Sequence, residues 1–336
     1  VDDIALLDAM GESDDISISF GREKDMPEER VSLKVFAAGQ ALPLSKRVPL
    51  LENMGFAALN ERTYQINPTD RPPVYLYDMT LKADSGAVDL SALGTKLTDC
   101  FLAIWQGRAE NDGYNSLILN GGLAWRDIAL LRTISRYLRQ ARIPFSQDYM
   151  WSTLNRYSAI AGELVAMFHA RFDPVHADPV AEEASFQRFL SALDGVVSLD
   201  DDRILRRCAN VIKSSVRTNF YQLDEDGAPE RVISIKINSR QVEELPEPRP
   251  FREIFVYSPD VEGVHLRFGK VARGGLRWSD RAQDFRTEVL GLVKAQQVKN
   301  AVIVPVGSKG GFYPKQLPDP AAGREAWFEA GRDAYK

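Results

Sequence analysis

Apolar and polar residues alternate with period two at Ile16-Ser-Ile-Ser-Phe20 and Val31-Ser-Leu-Lys-Val-Phe36, which predicts two β-strands near the start of the chain. The spacing then lengthens: Leu44, Val48, Leu51 and Met54 share one helical face, and Gly55 supplies a stop. Strands are expected over 57–66 and 74–82, separated by a turn rich in proline (Pro68, Pro72, Pro73), and a helix over 90–109. Between 123 and 222 the alternation vanishes. Helical spacing runs over 125–142, 147–170, 179–194 and 201–220, punctuated by Pro144, Pro174 and Pro179, with Asp201 as an expected N-cap. Alternation returns at Val232-Ile-Ser-Ile-Lys-Ile237, and further strands are expected over 251–257 and 264–268. After Gly274-Gly275 a helix is expected over 282–299 and a short buried strand over 301–306. Gly307 ends that strand and Gly310-Gly311 reopen the chain, which closes on a helical stretch over 323–336.

These patterns imply an α+β multi-domain chain in three parts. Residues 1–112 follow the order strand, helix, strand, strand, helix of a ferredoxin-like or ACT-like module, whose plainest role is packing and whose alternative role is ligand sensing. Residues 113–222 form a helical domain, and residues 223–336 begin an α/β domain. The final helical stretch reaches Lys336 without a Gly or Pro stop, so the chain reads as part of something longer.

Composition narrows the class. The 336 residues are 44% hydrophobic and 26% charged, ordinary for globular protein and enough for more than one core. A net charge of -5 and a pI near 5.5 argue against nucleic acid as a partner of the whole surface. Cys100 and Cys208 are far apart and lack zinc-ligand spacing, so neither a disulfide framework nor a metal site is expected, and a reducing cytoplasm fits best. No apolar run approaches the roughly 18 residues that cross a bilayer, and the acidic first residues are unlike a secretory signal, so no membrane partner is expected. His169 and His176 lack partners at metal spacing. Arg132, Arg136, Arg139 and Arg142, three or four residues apart, read as one solvated helical face.

The region with the strongest chemical signal runs from Lys270 to Lys315, where nine cations (Lys270, Arg273, Arg277, Arg281, Arg286, Lys294, Lys299, Lys309, Lys315) stand against Asp280, Asp284 and Glu288. A reversal of sign this large, in an acidic chain, points to an anionic ligand. Lys309 is expected on a loop between glycines, where a substrate can come close. Burial and the positive charge of Arg273, Arg277 and Lys299 would depress its amine's pKa and suit it to general-base or nucleophilic work. Each residue has a plainer reading. Lys309 alone is an exposed loop lysine, Lys299 a cation favoured by a helix C-terminus, and Arg273 and Arg277 surface partners of Asp280 or Asp284. Their combination favours a site.

Arg273-Gly-Gly-Leu-Arg-Trp, Lys294-Ala-Gln-Gln-Val-Lys299-Asn and Pro305-Val-Gly-Ser-Lys309-Gly-Gly in succession resemble the substrate segment of the glutamate dehydrogenase superfamily. More narrowly, Pro49-Leu-Leu-Glu-Asn-Met-Gly-Phe56, Glu61-Arg-Thr-Tyr64 and the stretch from Leu117-Ile-Leu-Asn-Gly-Gly to Arg132 are similar to the very large bacterial NAD-specific glutamate dehydrogenases. The resemblance implies that 223–336 is a partial catalytic, substrate-binding domain of that type. It makes Lys309 the lysine that activates water for attack on the 2-imino acid and Lys299 the residue that binds the substrate's α-carboxylate. Arg273 stands where compact relatives carry a lysine reaching the side-chain carboxylate; arginine keeps the charge and can bind bidentately. Gly274 and Gly275 would admit the substrate close to the backbone. The Gly307-Ser-Lys309 turn is one residue shorter than the usual Gly-Gly-Ala-Lys form, and the family's catalytic aspartate is expected beyond Lys336.

The resemblance further implies oxidative deamination of L-glutamate to 2-oxoglutarate and ammonium, NAD as cofactor, a homo-oligomeric full-length enzyme and a cytoplasmic location. No Gly-x-Gly-x-x-Gly follows an expected strand, so no cofactor-binding residue is assigned within this chain and the isolated chain is expected to be inactive. Two other classes stay in view. One is a regulatory or assembly region whose ACT-like module senses an amino acid. The other is a phosphate or pyridoxal phosphate site, with Gly307 to Gly311 as an anion nest and Lys309 as a Schiff-base amine.

Overall fold

The computed structural model describes residues 16–69, 72–271, 274–299, 306–319, 321 and 323–336, the Lys299 side chain excepted. The chain divides into two compact units, Val1–Ile128 and Ala129–Lys336.

In the first unit β1 (Ile16–Gly21), β2 (Arg30–Ala38), β3 (Phe56–Ile66) and β4 (Val74–Ala83) form an antiparallel sheet in the order β1-β2-β4-β3. Helix α1 (Leu44–Asn53) joins β2 to β3, and α2 (Leu90–Trp105) follows β4 and packs over β1. From β2 onward this is the expected order of strand, helix, strand, strand, helix, with β1 added at the edge beside β2. β2 is central and buried on both faces: Val31, Leu33 and Val35 are fully buried on one, while Phe36 on the other clusters with Val74, beside Ala38, Ile66 and Leu76. Burying each such side chain stabilises the unit by about 1.5–3 kcal/mol.

Gly55 has φ +92, a conformation only glycine adopts freely, and it turns the chain from α1 into β3 as the expected stop. Asp89 caps α2 by accepting from the backbone N–H groups of Ser91 and Ala92. Arg47, 2% exposed, ties α1 to the sheet: it donates to Glu61 at 2.6 Å and lies 3.7 Å from the Tyr77 ring centre. After α2 come a 3-10 turn (Gly113–Ser116) and the short helix α3 (Leu117–Gly121).

The helical part comprises α4 (Trp125–Gln140), α5 (Gln147–Arg156), α6 (Ser158–Phe172), α7 (Pro179–Leu193) and α8 (Leu199–Ser214). Three expectations change here. The helix expected over 147–170 breaks at Tyr157, whose backbone (φ -111, ψ 51) leaves the helical region. Asp201 is not a cap. Ser198 caps α8, while Asp201 is buried in the first turn and accepts from Thr153 Oγ1 (3.0 Å) and Arg156 Nη1 (2.5 Å), joining α8 to α5. The arginines of α4 are not one solvated face: Arg132 is fully buried, and Arg136 Nε lies 3.6 Å from Glu262 Oε1 on the neighbouring sheet. The expectation failed because α4 runs through the core rather than over it.

Helix α8 ends at Ser214, not 220, because residues 215–218 start a six-stranded sheet. Its strands β5 (Ser215–Thr218), β6 (Ile233–Ile237), β7 (Arg252–Tyr257), β8 (Val261–Arg267), β9 (Leu276–Trp278) and β10 (Ser308–Pro314) lie in the order β5-β6-β7-β8-β10-β9. All neighbours are antiparallel except β10 and β9, which are parallel. Helix α9 (Phe285–Lys299) packs on β8 and β10, and α10 (Arg324–Tyr335) packs on β10. Cys100 and Cys208 are both buried. No helix among the described residues is long and apolar enough to cross a membrane.

Candidate active site

Lys309 stands in a strand and not in the loop expected from its glycine neighbours. It is the second residue of β10, opposite Leu266 of β8. The glycines after it do not reopen the chain; they let three elements close around it. A Cβ added to Gly310 would fall 2.2 Å from Leu276 Cδ2 and 3.2 Å from the Val264 carbonyl oxygen, and one added to Gly311 would fall 2.4 Å from Val289 Cγ2 of α9. Glycine in a strand interior marks such close approach. Alternation along β10 puts Lys309 on the face that Gly311 turns toward α9.

The Gly-Gly turn before β9 meets this lysine. A Cβ on Gly274 would lie 2.0 Å from the Ser308 carbonyl oxygen and 3.5 Å from Lys309 Cδ, so only glycine fits there. Gly310 N–H donates to the Gly275 carbonyl at 3.3 Å. The residues ahead of Lys309 are held by the last turns of α9: Gln297 Nε2 donates to the Val306 carbonyl (3.0 Å), and Ser308 N–H donates to Gln296 Oε1 (3.1 Å). Gly307, at φ +66, makes the sharp turn between them. Sequence reading passed over both glutamines, because an amide at the end of a helix carries no pattern of its own.

Of the residues expected in the site, the structure brings together Gly274, Gly275 and Lys309. Lys299 is the last residue of α9, two positions after Gln297. Its side chain, Arg273 and residues 301–305 of the strand expected over 301–306 lie outside the described residues, and Val306 is an exposed bend residue, so the convergence of all three cations stays an expectation.

Four of the nine cations are matched by carboxylates among the described residues. Arg277 Nε pairs with Glu288 at 2.9 Å, not with Asp280 or Asp284 as its plainer reading had it, and Ser279 Oγ donates to the other Glu288 oxygen at 2.6 Å. Arg281 pairs with Asp284, Arg286 with Glu253 at 2.8 Å, and Lys315 with Glu262 at 3.5 Å. Glu253 and Glu262 lie outside the charged stretch of sequence, so counting within it overstated the excess. Lys309, half-buried, pairs with no carboxylate among the described residues.

No group of three His, Cys, Asp or Glu among the described residues could hold a metal ion. A dinucleotide needs a glycine turn between a strand and a helix N-terminus, where backbone N–H groups meet the pyrophosphate. The segment from β9 to α9 carries Asp280 and Asp284 and no glycine, so that strand-to-helix connection is not a turn of this kind.

Three family models match successive parts of the chain: the ACT3 domain of glutamate dehydrogenase over residues 15–93, helical motif 3 of glutamate dehydrogenase over 109–174, and the catalytic domain of bacterial NAD-glutamate dehydrogenase over 188–336. Among curated proteins, the NAD-specific glutamate dehydrogenase of Pseudomonas aeruginosa is 47% identical over 322 residues, covering 94% of this chain and 20% of that protein. The corresponding proteins of Halomonas elongata (45% over 335 residues, 98% and 21%) and Mycobacterium tuberculosis (43% over 351 residues, 100% and 21%) are similar over the same stretch. The chain thus spans about a fifth of the length of these relatives. With matches in consecutive order from residue 15 to residue 336, all to one enzyme group, the chain belongs to the family of the bacterial NAD-specific glutamate dehydrogenases.

Proposed function

We propose that this chain supplies the substrate-binding part of an enzyme that oxidatively deaminates L-glutamate to 2-oxoglutarate and ammonium. NAD is the hydride acceptor of that reaction class, and no residue of this chain is assigned to it. The observation that carries the reading is the packing of Gly274 against Ser308 and Lys309, which puts a backbone free of side chains beside a lysine with no described carboxylate partner. A flat glycine surface next to an amine suits a small carboxylate substrate.

In this reading Lys309 acts on the 2-imino acid. The oxygen of a water molecule bonds to C2 of the iminium while one water proton passes to Lys309 Nζ; Lys309 then returns that proton to the nitrogen, and as the C2–N bond breaks the C2 hydroxyl becomes the carbonyl and gives its proton to the departing ammonia, leaving 2-oxoglutarate and ammonium. Lys299 holds the α-carboxylate and Arg273 the side-chain carboxylate, each as a positioning charge for the reacting centre. Gly274 and Gly275 form the floor. Replacing Lys309 by Ala in the full-length enzyme is expected to abolish glutamate-dependent NADH formation while NAD binding, followed by fluorescence titration, is retained. Turnover that survives the replacement would remove Lys309 from the mechanism. The 336-residue chain alone is expected to form no NADH from glutamate, for want of a dinucleotide site, and clear activity would show that the cofactor site was misplaced.

A further inference from the structure

The face of the six-stranded sheet opposite Lys309 divides into two halves. At the β9 and β10 end it is aromatic and covered by α10: Trp278 stacks on Trp327 at 4.4 Å, and Phe312 lies 5.7 Å from Tyr335. At the other end it is cationic. Arg217 of β5 is directly opposite Lys236 of β6, and Arg252 of β7 is directly opposite Arg267 of β8. Alternation fixes their side. Ile233, Ile235 and Ile237 flank Lys236 and are buried, and Glu253, next to Arg252, turns into the core toward Arg286. His265 joins the group, accepting from Arg267 Nε at 3.3 Å.

Like charges directly opposed across a ladder destabilise a sheet, so two such pairs side by side need a reason. Protein carboxylates do not provide it. Among the described residues none pairs with Arg217, Lys236, Arg252 or Arg267; Arg252 instead donates to the neutral Asn238 at 2.7 Å and lies 4.4 Å from the Phe251 ring centre. The cations also feel one another. Burial pushes the Lys236 amine's pKa down, and Arg217, Arg267 and Arg252 push it the same way; burial and then Arg267 do the same to His265.

We propose that this face, at Arg217, Lys236, Arg252, Arg267 and His265, is a binding site for a small polyphosphate anion. Two pairs of cations on neighbouring strand pairs call for a ligand with at least two anionic groups in a row, and guanidinium forks match phosphate oxygens bidentately. The four strands involved span only about 14 Å, too short a track for a nucleic-acid backbone in a chain of acidic pI.

The test is calorimetric titration of the 336-residue chain with sodium triphosphate at low ionic strength, with the imidazole resonances of its three histidines followed by NMR. One-to-one saturable binding is expected, with the His265 signal moving and those of His169 and His176 still. Arg252→Gln with Arg267→Gln should weaken affinity at least tenfold, and Lys236→Gln should weaken it too. Neither variant should lower the melting temperature, because each removes like-charge repulsion; this separates loss of the site from loss of the fold. The proposal is overturned by absence of saturable heat, by equal binding in the variants, by a His265 signal that does not move, or by citrate binding as tightly as triphosphate.

Discussion

Arg286 and Glu253 form an ion pair sealed from solvent, Nε standing 2.8 Å from Oε2 with side-chain exposures of 1% and 0%. Tyr137 donates to the other Glu253 oxygen, so one carboxylate joins α4, β7 and α9, the helix that leads to Lys299. Removing one partner leaves a buried charge without its counter-ion. Glu253→Ala is therefore expected to cost about 3–5 kcal/mol in urea unfolding, whereas joint replacement by Leu at 253 and Met at 286 should recover most of that loss. A single-variant loss below about 1 kcal/mol would mean that water reaches the pair.

The same cluster gives stability an alkaline limit. Burial, and then the negative charge of Glu253, holds the Tyr137 phenol's pKa well above its ordinary value. A group whose folded pKa is raised stabilises the fold fully below its unfolded pKa, near 10 for tyrosine, and loses that contribution as pH rises beyond it. Above pH 10 the unfolded chain ionises Tyr137 while the folded one resists. Stability should thus fall more steeply from about pH 10 upward in the native protein than in Tyr137→Phe. Superimposable profiles for the two would show that Tyr137 ionises freely in the fold.

How far the sequence carried the structure depended on what kind of signal each part gives. Strands with one buried face, such as 232–237, and helices with a clear stop, such as α1 before Gly55, showed in their periodicity. The family motifs singled out Lys309, Gly274 and Gly275, and Gly274 packs beside Lys309 in the fold. Lys309 as a strand residue was not legible, because Gly310 and Gly311 look like a turn until Leu276 and Val289 are seen to fill the space beside them. Arg132 misled because its helical spacing is typical of a surface, and Asp201 because an acidic residue at a helix start resembles a cap; only tertiary contacts make both interior. The pairing of Arg286 with Glu253, 33 residues earlier, follows from no local pattern.

Cys208 offers a test of how tightly the helical part is closed. Burial alone pushes its thiol pKa up to about 12, and Cys100 is likewise buried. At pH 8 the thiolate that reacts with a disulfide reagent is almost absent from Cys208 and shielded in both residues. Native protein should therefore release no chromophore over minutes, and two equivalents once unfolded in guanidinium chloride. Rapid native reaction of one equivalent would point to local opening of α2 or α8.

If Lys299 binds the α-carboxylate, its charge acts in the ground state and the transition state alike. Lys299→Ala in the full-length enzyme should then raise the glutamate KM at least tenfold with little change in kcat, unlike the loss of turnover expected for Lys309→Ala. A fall in kcat at unchanged KM would place Lys299 in the chemistry instead. Arg at position 299 should restore part of the affinity, since charge matters more than shape at a carboxylate contact.

Gly274 and Gly275 are neighbours with opposite surroundings, and this separates packing from substrate contact. A Cβ at Gly274 meets the Ser308 carbonyl oxygen at 2.0 Å, so Gly274→Ala must displace β10 and is expected to cost about 1–3 kcal/mol of stability along with activity. At Gly275 a Cβ meets nothing within 4 Å and its φ is not in the left-handed region, so Gly275→Ala should fold with an unchanged melting temperature. Whatever activity it loses then reports on what approaches that backbone from outside the chain. A raised glutamate KM in Gly275→Ala, with melting unaltered, is the outcome expected of a substrate lying against the glycine pair. Unaltered kinetics would move the substrate elsewhere and leave Gly275 a turn residue only.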